Sequence, residues 1–123
     1  MSRKTILIVD DDRTVREVVA VTLGSEEFHV LQAADGPEAL DQARLYPPDM
    51  VLIDLMMPRM DGLEVCRRLK GDPVTAKARV IVLTARSDLH ERSRALEAGV
   101  DGFFLKPFSP ISLLNKVYEV LGA

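Results

Sequence analysis

Five short apolar runs recur along the chain, and stretches with apolar residues three and four apart follow them. The first four are Ile6–Val9, Phe28–Leu31, Met50–Ile53 and Val80–Leu83, and the fifth, Val100 to Leu105, is interrupted by Asp101 and Gly102. Short runs rich in Val, Ile and Leu, without polar alternation, predict strands buried on both faces. Phe28-His29-Val30-Leu31 is the weaker one and is placed nearer a sheet edge. Between the runs the spacing turns helical. Val15, Val18, Val19, Thr22 and Leu23 predict a first helix that Gly24 stops. Asp35-Gly36-Pro37-Glu38 reads as the next helix start, with Pro in the first turn and Glu closing the cap. Ala39, Leu40 and Ala43 give that helix its inward face, and Pro47-Pro48 ends it. Asp61 is placed to cap a third helix with Glu64 as capping-box partner. Leu63, Cys66 and Leu69 point inward there, Gly71-Asp72-Pro73 breaks the helix, and residues 74–79 form a connecting loop. Asp88 to Ala98 is charged and poor in large apolar residues, which predicts the least securely packed helix, stopped by Gly99. Ser109 as N-cap with Pro110 at the first helical position opens the last helix, striped by Ile111, Leu114, Val117, Tyr118 and Leu121.

Strand then helix, five times over, implies an α/β fold with a five-stranded parallel sheet and helices on both faces. No linker, low-complexity stretch or repeat beyond this alternation interrupts it, so residues 1–123 are expected to form a single domain.

Composition narrows the function classes. Apolar residues make up 47 % of the chain, enough for a real core and against disorder. The net charge is −3 and no basic run or stripe stands out, which argues against direct nucleic-acid binding. Cys66 is the single cysteine, so an internal disulfide and a cysteine metal cluster are both excluded. Its position on the apolar spacing predicts a plain buried thiol rather than a nucleophile. The apolar run after Met1-Ser2-Arg3-Lys4 is too short for a signal-peptide core or a membrane span. The expected location is a reducing cytoplasm, with no membrane partner.

Candidate chemistry gathers at the carboxyl ends of the strands, where open α/β sheets bind ligands. Asp10 and Asp11 follow the first strand, Asp54 the third, Thr84 the fourth and Lys106 the fifth. Each has an ordinary explanation alone: a helix cap, a β-branched strand residue, an exposed loop lysine. All of them meeting at one edge is a different matter. Asp54 in particular has no obvious structural task, because Asp61 already serves as the cap. Three carboxylates together repel and raise one another's pKa values. A hard divalent cation removes the conflict, and Mg²⁺ suits a site of few carboxylates and several waters. Lys106 and the Thr84 hydroxyl could then serve phosphoryl oxygens, with Asp54 as nucleophile forming an acyl phosphate.

The chain resembles the receiver domain of two-component response regulators, the chemotaxis-regulator-like type included. The likeness covers essentially the whole sequence. It rests on Ile6-Leu7-Ile8-Val9-Asp10-Asp11-Asp12, on Asp54-Leu55-Met56-Met57-Pro58-Arg59-Met60-Asp61-Gly62, on Leu83-Thr84-Ala85 and on Gly102-Phe103-Phe104-Leu105-Lys106-Pro107-Phe108. Each motif is modest alone, and the ordered set is highly specific. The resemblance implies a flavodoxin-like sheet in the order 2-1-3-4-5. It implies Asp54 as phosphoacceptor, with Thr84 and Lys106 as the hydroxyl and lysine of the site. Asp11, Asp54 and the backbone carbonyl of Met56 would hold Mg²⁺ directly, and Asp10 through water. The Lys106-Pro107 peptide would be cis. Phe103 stands where such domains carry a switching aromatic, and being Phe it could report only by ring burial; a plain core strand residue explains it equally well. Met56 and Arg86 would border the phosphoryl group.

The implied activity is that of a signalling phosphoacceptor, not an enzyme with an external substrate, although it would assist its own Mg²⁺-dependent phosphorylation and dephosphorylation. The donor would be a histidine kinase or histidine phosphotransfer protein. The recipient of the signal would be a downstream protein target or effector domain, reached through a shift of the fourth helix, fifth strand and fifth helix. A homodimer through the fourth and fifth helices is compatible with this, with no residue deciding for it. Other readings stand beside it. An aspartyl phosphohydrolase wants an acid/base Asp where Met56 stands. A flavodoxin-like nucleotide or flavin binder wants a phosphate-cradling loop where Asp10-Asp11-Asp12 stands. An interaction module that works without phosphorylation leaves the intact acceptor site unused. The chain is compatible both with a stand-alone receiver and with part of a longer regulator.

Overall fold

The computed structural model of the protein describes residues 3–24, 28–57, 59–85 and 89–122; Pro58, Arg86 and Asp88 lie outside the described residues. Ten elements alternate: β1 Thr5–Val9, α1 Arg13–Gly24, β2 His29–Ala33, α2 Gly36–Leu45, β3 Met50–Asp54, α3 Gly62–Gly71, β4 Arg79–Thr84, α4 Leu89–Glu97, β5 Gly102–Leu105 and α5 Pro110–Leu121. All strand pairs are parallel, in the order β2-β1-β3-β4-β5. The weak second strand is indeed an edge. It runs to Ala33, two residues further than its apolar run suggests, because its ladder with β1 continues to Val9↔Ala33.

Alternation along the central strands divides the core into two layers. Leu7, Val9, Val51, Ile53, Val80 and Val82 face a layer shared with the buried sides of α2, α3 and α4. Ile6, Ile8, Met50, Leu52, Ile81 and Leu83 face the opposite layer, with α1 and α5. Because both faces are covered, the strands carry no polar alternation, which is why they read as continuous apolar runs. The caps form largely as the sequence suggests. Asp35 accepts from the Glu38 N–H, and Glu38 reaches back to the Ala34 N–H at 2.7 Å. Ser109 and Ser112 make a reciprocal capping box on α5. Asp61 caps α3 through the Leu63 N–H, but Glu64 does not close a box. Its carboxylate turns outward to Arg67 and Arg68, whose hydrogen bonds hold it below the usual carboxylate range.

Two helices differ from the pattern in their buried residues. On α5 the inward residues are Leu113 and Val117, while Ile111 is 72 % exposed. On α1, Val19 and Leu23 are buried and Val18 lies at the surface. As the composition predicts, α4 is thinly anchored: among its described side chains Ala95 alone is fully buried, and Leu96 stands exposed. No helix among the described residues is long and apolar enough to cross a membrane.

Candidate functional site

The order β2-β1-β3-β4-β5 makes the chain reverse direction across the sheet between β1 and β3, the switch point at whose carboxyl ends open α/β sheets bind ligands. Val9 pairs with Ile53. Asp10, one step past β1, and Asp54, last in β3, therefore leave the sheet side by side. Both continue the alternation of the α1/α5 layer, after Ile8 and Leu52. Lys106 continues it too, two residues after Phe104.

The three side chains meet. The Lys106 ammonium donates to Asp10 Oδ2 at 2.7 Å and to Asp54 Oδ2 at 2.8 Å. Lys106 is carried into place by its own N–H, which donates to the Thr84 carbonyl at 2.8 Å, and the Lys106–Pro107 peptide after it is cis. The remaining oxygens are fixed from the backbone. Asp54 Oδ1 accepts from the Met56 N–H at 2.8 Å, which folds the loop after β3 back over the carboxylate. Asp10 Oδ1 accepts from the Asp12 N–H at 2.9 Å, and Arg16 donates to the Asp10 carbonyl at 2.8 Å. Asp12 has a separate structural task, accepting from the Thr14 N–H as α1 begins.

Electrostatics at this edge are unbalanced. One carboxylate oxygen from each of Asp10, Asp11 and Asp54 falls within 4.8 Å of the others. Asp10 is fully buried, Asp54 half-buried and Asp11 exposed. Burial pushes the Asp10 carboxyl above the ordinary range, and the hydrogen bonds from Lys106 and the Asp12 N–H only partly offset this. For Lys106 burial works toward a lower value, but its bonds to Asp10 and Asp54 outweigh that and hold the ammonium above its usual pKa. Among the described residues one ammonium, bonded to Asp10 and Asp54, thus stands against a cluster of three carboxylates. The donor set is all oxygen, acidic and open to solvent on the Asp11 side, which fits a hard divalent cation.

Thr84 and Phe103 belong to the other layer. Val82 pairs with Phe103, and both face α4. The Thr84 hydroxyl donates to Glu91 Oε1 at 3.2 Å, and Thr84 lines an open cleft together with Asp54, Met56, Glu91 and Lys106. Phe103 is half-buried, with the Arg92 guanidinium 4.9 Å from its ring centroid. Met56 is 78 % exposed at the mouth of the cleft. Glu91 and Arg92 carry no mark in the sequence, because their place depends on how α4 docks rather than on any local motif. Cys66 is fully buried on the inward face of α3, and burial pushes its thiol up to about 12, which favours the neutral form.

The geometry agrees with what the chain is similar to. Residues 6–118 match the family described as the response regulator receiver domain. The response regulator MprA of Mycobacterium sp. (strain KMS) is 46 % identical over 118 residues, covering 94 % of this chain and 50 % of that protein. The MprA of Mycobacterium tuberculosis is 45 % identical over 116 residues with the same coverage. The chain spans about half the length of these curated relatives. Among solved structures, the chemotaxis protein CheY4 of Vibrio cholerae superposes with a TM-score of 0.92 at 29 % identity, over 97 % of this chain and 99 % of that one. A putative response regulator from Chloroflexus aurantiacus gives 0.89 at 35 % identity, over 99 % and 100 %. Family match, relatives and sheet order agree, and the chain belongs to the response regulator receiver domains of two-component signalling.

Proposed function

We propose that residues 1–123 act as one receiver unit in which Asp54 accepts a phosphoryl group from a phosphohistidine of a histidine kinase or phosphotransfer protein. The observation that carries this is the Lys106 ammonium bridging Asp10 and Asp54 at 2.7 and 2.8 Å, next to a third carboxylate. An Asp54 oxygen attacks phosphorus, the bond to the donor nitrogen breaks, and the imidazole leaves with the electron pair. Lys106 already sits against the acceptor and neutralises charge on the transferred group. Thr84, on the same cleft, donates its hydroxyl to another phosphoryl oxygen. Asp11, Asp54 and the Met56 carbonyl would hold Mg²⁺, with Asp10 behind a water; when bound, Mg²⁺ supplies the positive charge that three clustered carboxylates and a phosphoryl dianion require. In the phosphorylated state the Thr84 hydroxyl moves toward Asp54, Phe103 turns inward, and the face formed by α4, β5 and α5 changes for a downstream protein target or effector domain.

Intact mass after incubation with Mg²⁺ and acetyl phosphate tests the acceptor. A single phosphoryl adduct that needs both Asp54 and Mg²⁺, absent in Asp54→Ala, is the expected result. No adduct and no donor hydrolysis would leave an interaction module independent of phosphorylation. Rapid phosphate release without an adduct would point instead to an aspartyl phosphohydrolase.

A further inference from the structure

Thr84 and Phe103 leave the sheet toward α4, and two consecutive residues of that helix reach them. Successive helix positions differ by about 100° around the axis. Glu91 can therefore reach back to the end of β4 while Arg92 lies across β5. Glu91 Oε1 accepts from the Thr84 hydroxyl at 3.2 Å. The Arg92 guanidinium covers the Phe103 ring at 4.9 Å, and its Nε is buried without a hydrogen-bond partner among the described residues.

We infer that Glu91 and Arg92 form a latch on α4, positioning residues that hold Thr84 and Phe103 in the unphosphorylated arrangement and so set how tightly the site takes a phosphoryl group. This rests on the acceptor reading above and goes beyond it by naming what opposes the switch. A threonine hydroxyl has one proton to donate. The bond to Glu91 and a bond to a phosphoryl oxygen on Asp54 exclude each other, so one must break before the other forms. Glu91 lines the same cleft as Asp54 and Lys106. Arg92 acts on the second residue: a Phe103 ring that turns inward leaves the guanidinium behind and breaks the cation–ring contact. The buried Nε, which gains nothing in the present arrangement, is then free to find a partner. Among the described side chains of α4 only Ala95 is fully buried, so two side-chain contacts add materially to what fixes its place. A ligand that binds only the released state loses affinity in proportion to how rarely that state is populated. Loosening the latch should therefore tighten binding.

The test is a titration with beryllofluoride in saturating Mg²⁺, followed by NMR on the full chain, with Asp54→Ala as the blank. Glu91→Ala should bind about three- to tenfold more tightly than the unaltered chain, the net scale of one ordinary hydrogen bond at a solvent-open cleft. Arg92→Ala should shift affinity the same way and stands as an independent variant should the first misfold. The decisive arms are the double variants. In a Thr84→Ala background the Glu91→Ala gain should vanish, and in a Phe103→Leu background the Arg92→Ala gain should vanish, because each latch residue acts only through its partner. A gain that persists in those backgrounds means general electrostatics and overturns the latch, as does no gain in either single variant. Failure of the unaltered chain to bind would overturn the acceptor reading and the latch with it, whereas binding with no gain overturns the latch alone.

Discussion

Cys66 and Asp10 are both fully buried ionisable residues, and burial raises both, yet they have opposite fates. Asp10 is surrounded by donors from Lys106 and the Asp12 N–H, so part of the cost of its charge is offset. Cys66 sits among Val65, Leu69 and the apolar layer under α3, and its thiol has every reason to stay neutral. An unfolded thiol ionises near pH ~8.5. Since the folded value is raised, this cysteine's contribution to stability is complete below the unfolded pKa and is lost as pH climbs from there through the folded value of about 12. The alkaline limb of a stability–pH curve from urea melts should therefore be steeper for the native chain than for Cys66→Ala. In parallel, the native thiol should resist a disulfide reagent at pH 8 and react at once in denaturant. Equal limbs, or rapid labelling of the folded protein, would mean that the thiol is not sealed in.

At the scale of elements, α3 depends on a glycine for more than its geometry as a helix. A Cβ on Gly62 would lie 2.6 Å from the Leu55 Cα and 2.9 Å from its Cδ2. The first of these is backbone, directly after Asp54, and cannot step aside. Gly62→Ala should therefore push the start of α3 off the loop that folds over Asp54, costing about 1–3 kcal/mol in denaturant melts. Gly71→Ala, at the other end of the same helix with nothing within 4 Å, should be neutral or stabilising by up to ~1 kcal/mol. Equal effects would show that the close approach at Leu55 is unimportant. Asp61→Ala should cost about 1 kcal/mol through the lost bond to the Leu63 N–H. This helix also shows what a sequence can carry. Its cap residue, its stop at Gly71 and its inward Leu63, Cys66 and Leu69 follow from local spacing, and so are legible. The outward turn of Glu64 is not, because Arg67 and Arg68 compete for its carboxylate one turn on. On α5, Ile111 fits the helical stripe as well as Leu113 does; only the angle at which the helix meets α1 decides which is buried. The same holds at the site. The residues at the ends of β1, β3, β4 and β5 are legible because a strand's end is marked by its apolar run, whereas Glu91 and Arg92 arrive by docking and leave no local trace.

Across the whole molecule, the sheet separates two sets of side chains that one ligand would join. Asp10, Asp54 and Lys106 belong to the layer of α1 and α5, and Thr84 and Phe103 to the layer of α4. A group seated on Asp54 would lie in the cleft that Asp54 shares with Thr84 and Lys106, in reach of both sets. The same arrangement makes the folded state the better cation binder. The unfolded chain scatters Asp10, Asp11 and Asp54 along its length, while the fold gathers them within 4.8 Å. Whatever binds the folded form alone stabilises it by mass action, about 2.7 kcal/mol at a hundredfold excess over Kd. In a chain of 123 residues that corresponds to a rise in Tm of roughly 10 °C. Thermal melts should show this rise with MgCl₂ and not with NaCl at matched ionic strength, and EDTA should reverse it. Asp11→Asn should abolish most of the rise while leaving the metal-free Tm unchanged or higher, since it removes one of three mutually repelling carboxylates. A Mg²⁺ response that survives Asp11→Asn in full would place the cation elsewhere, and the absence of any response would leave the charge of Asp10 and Asp54 to Lys106.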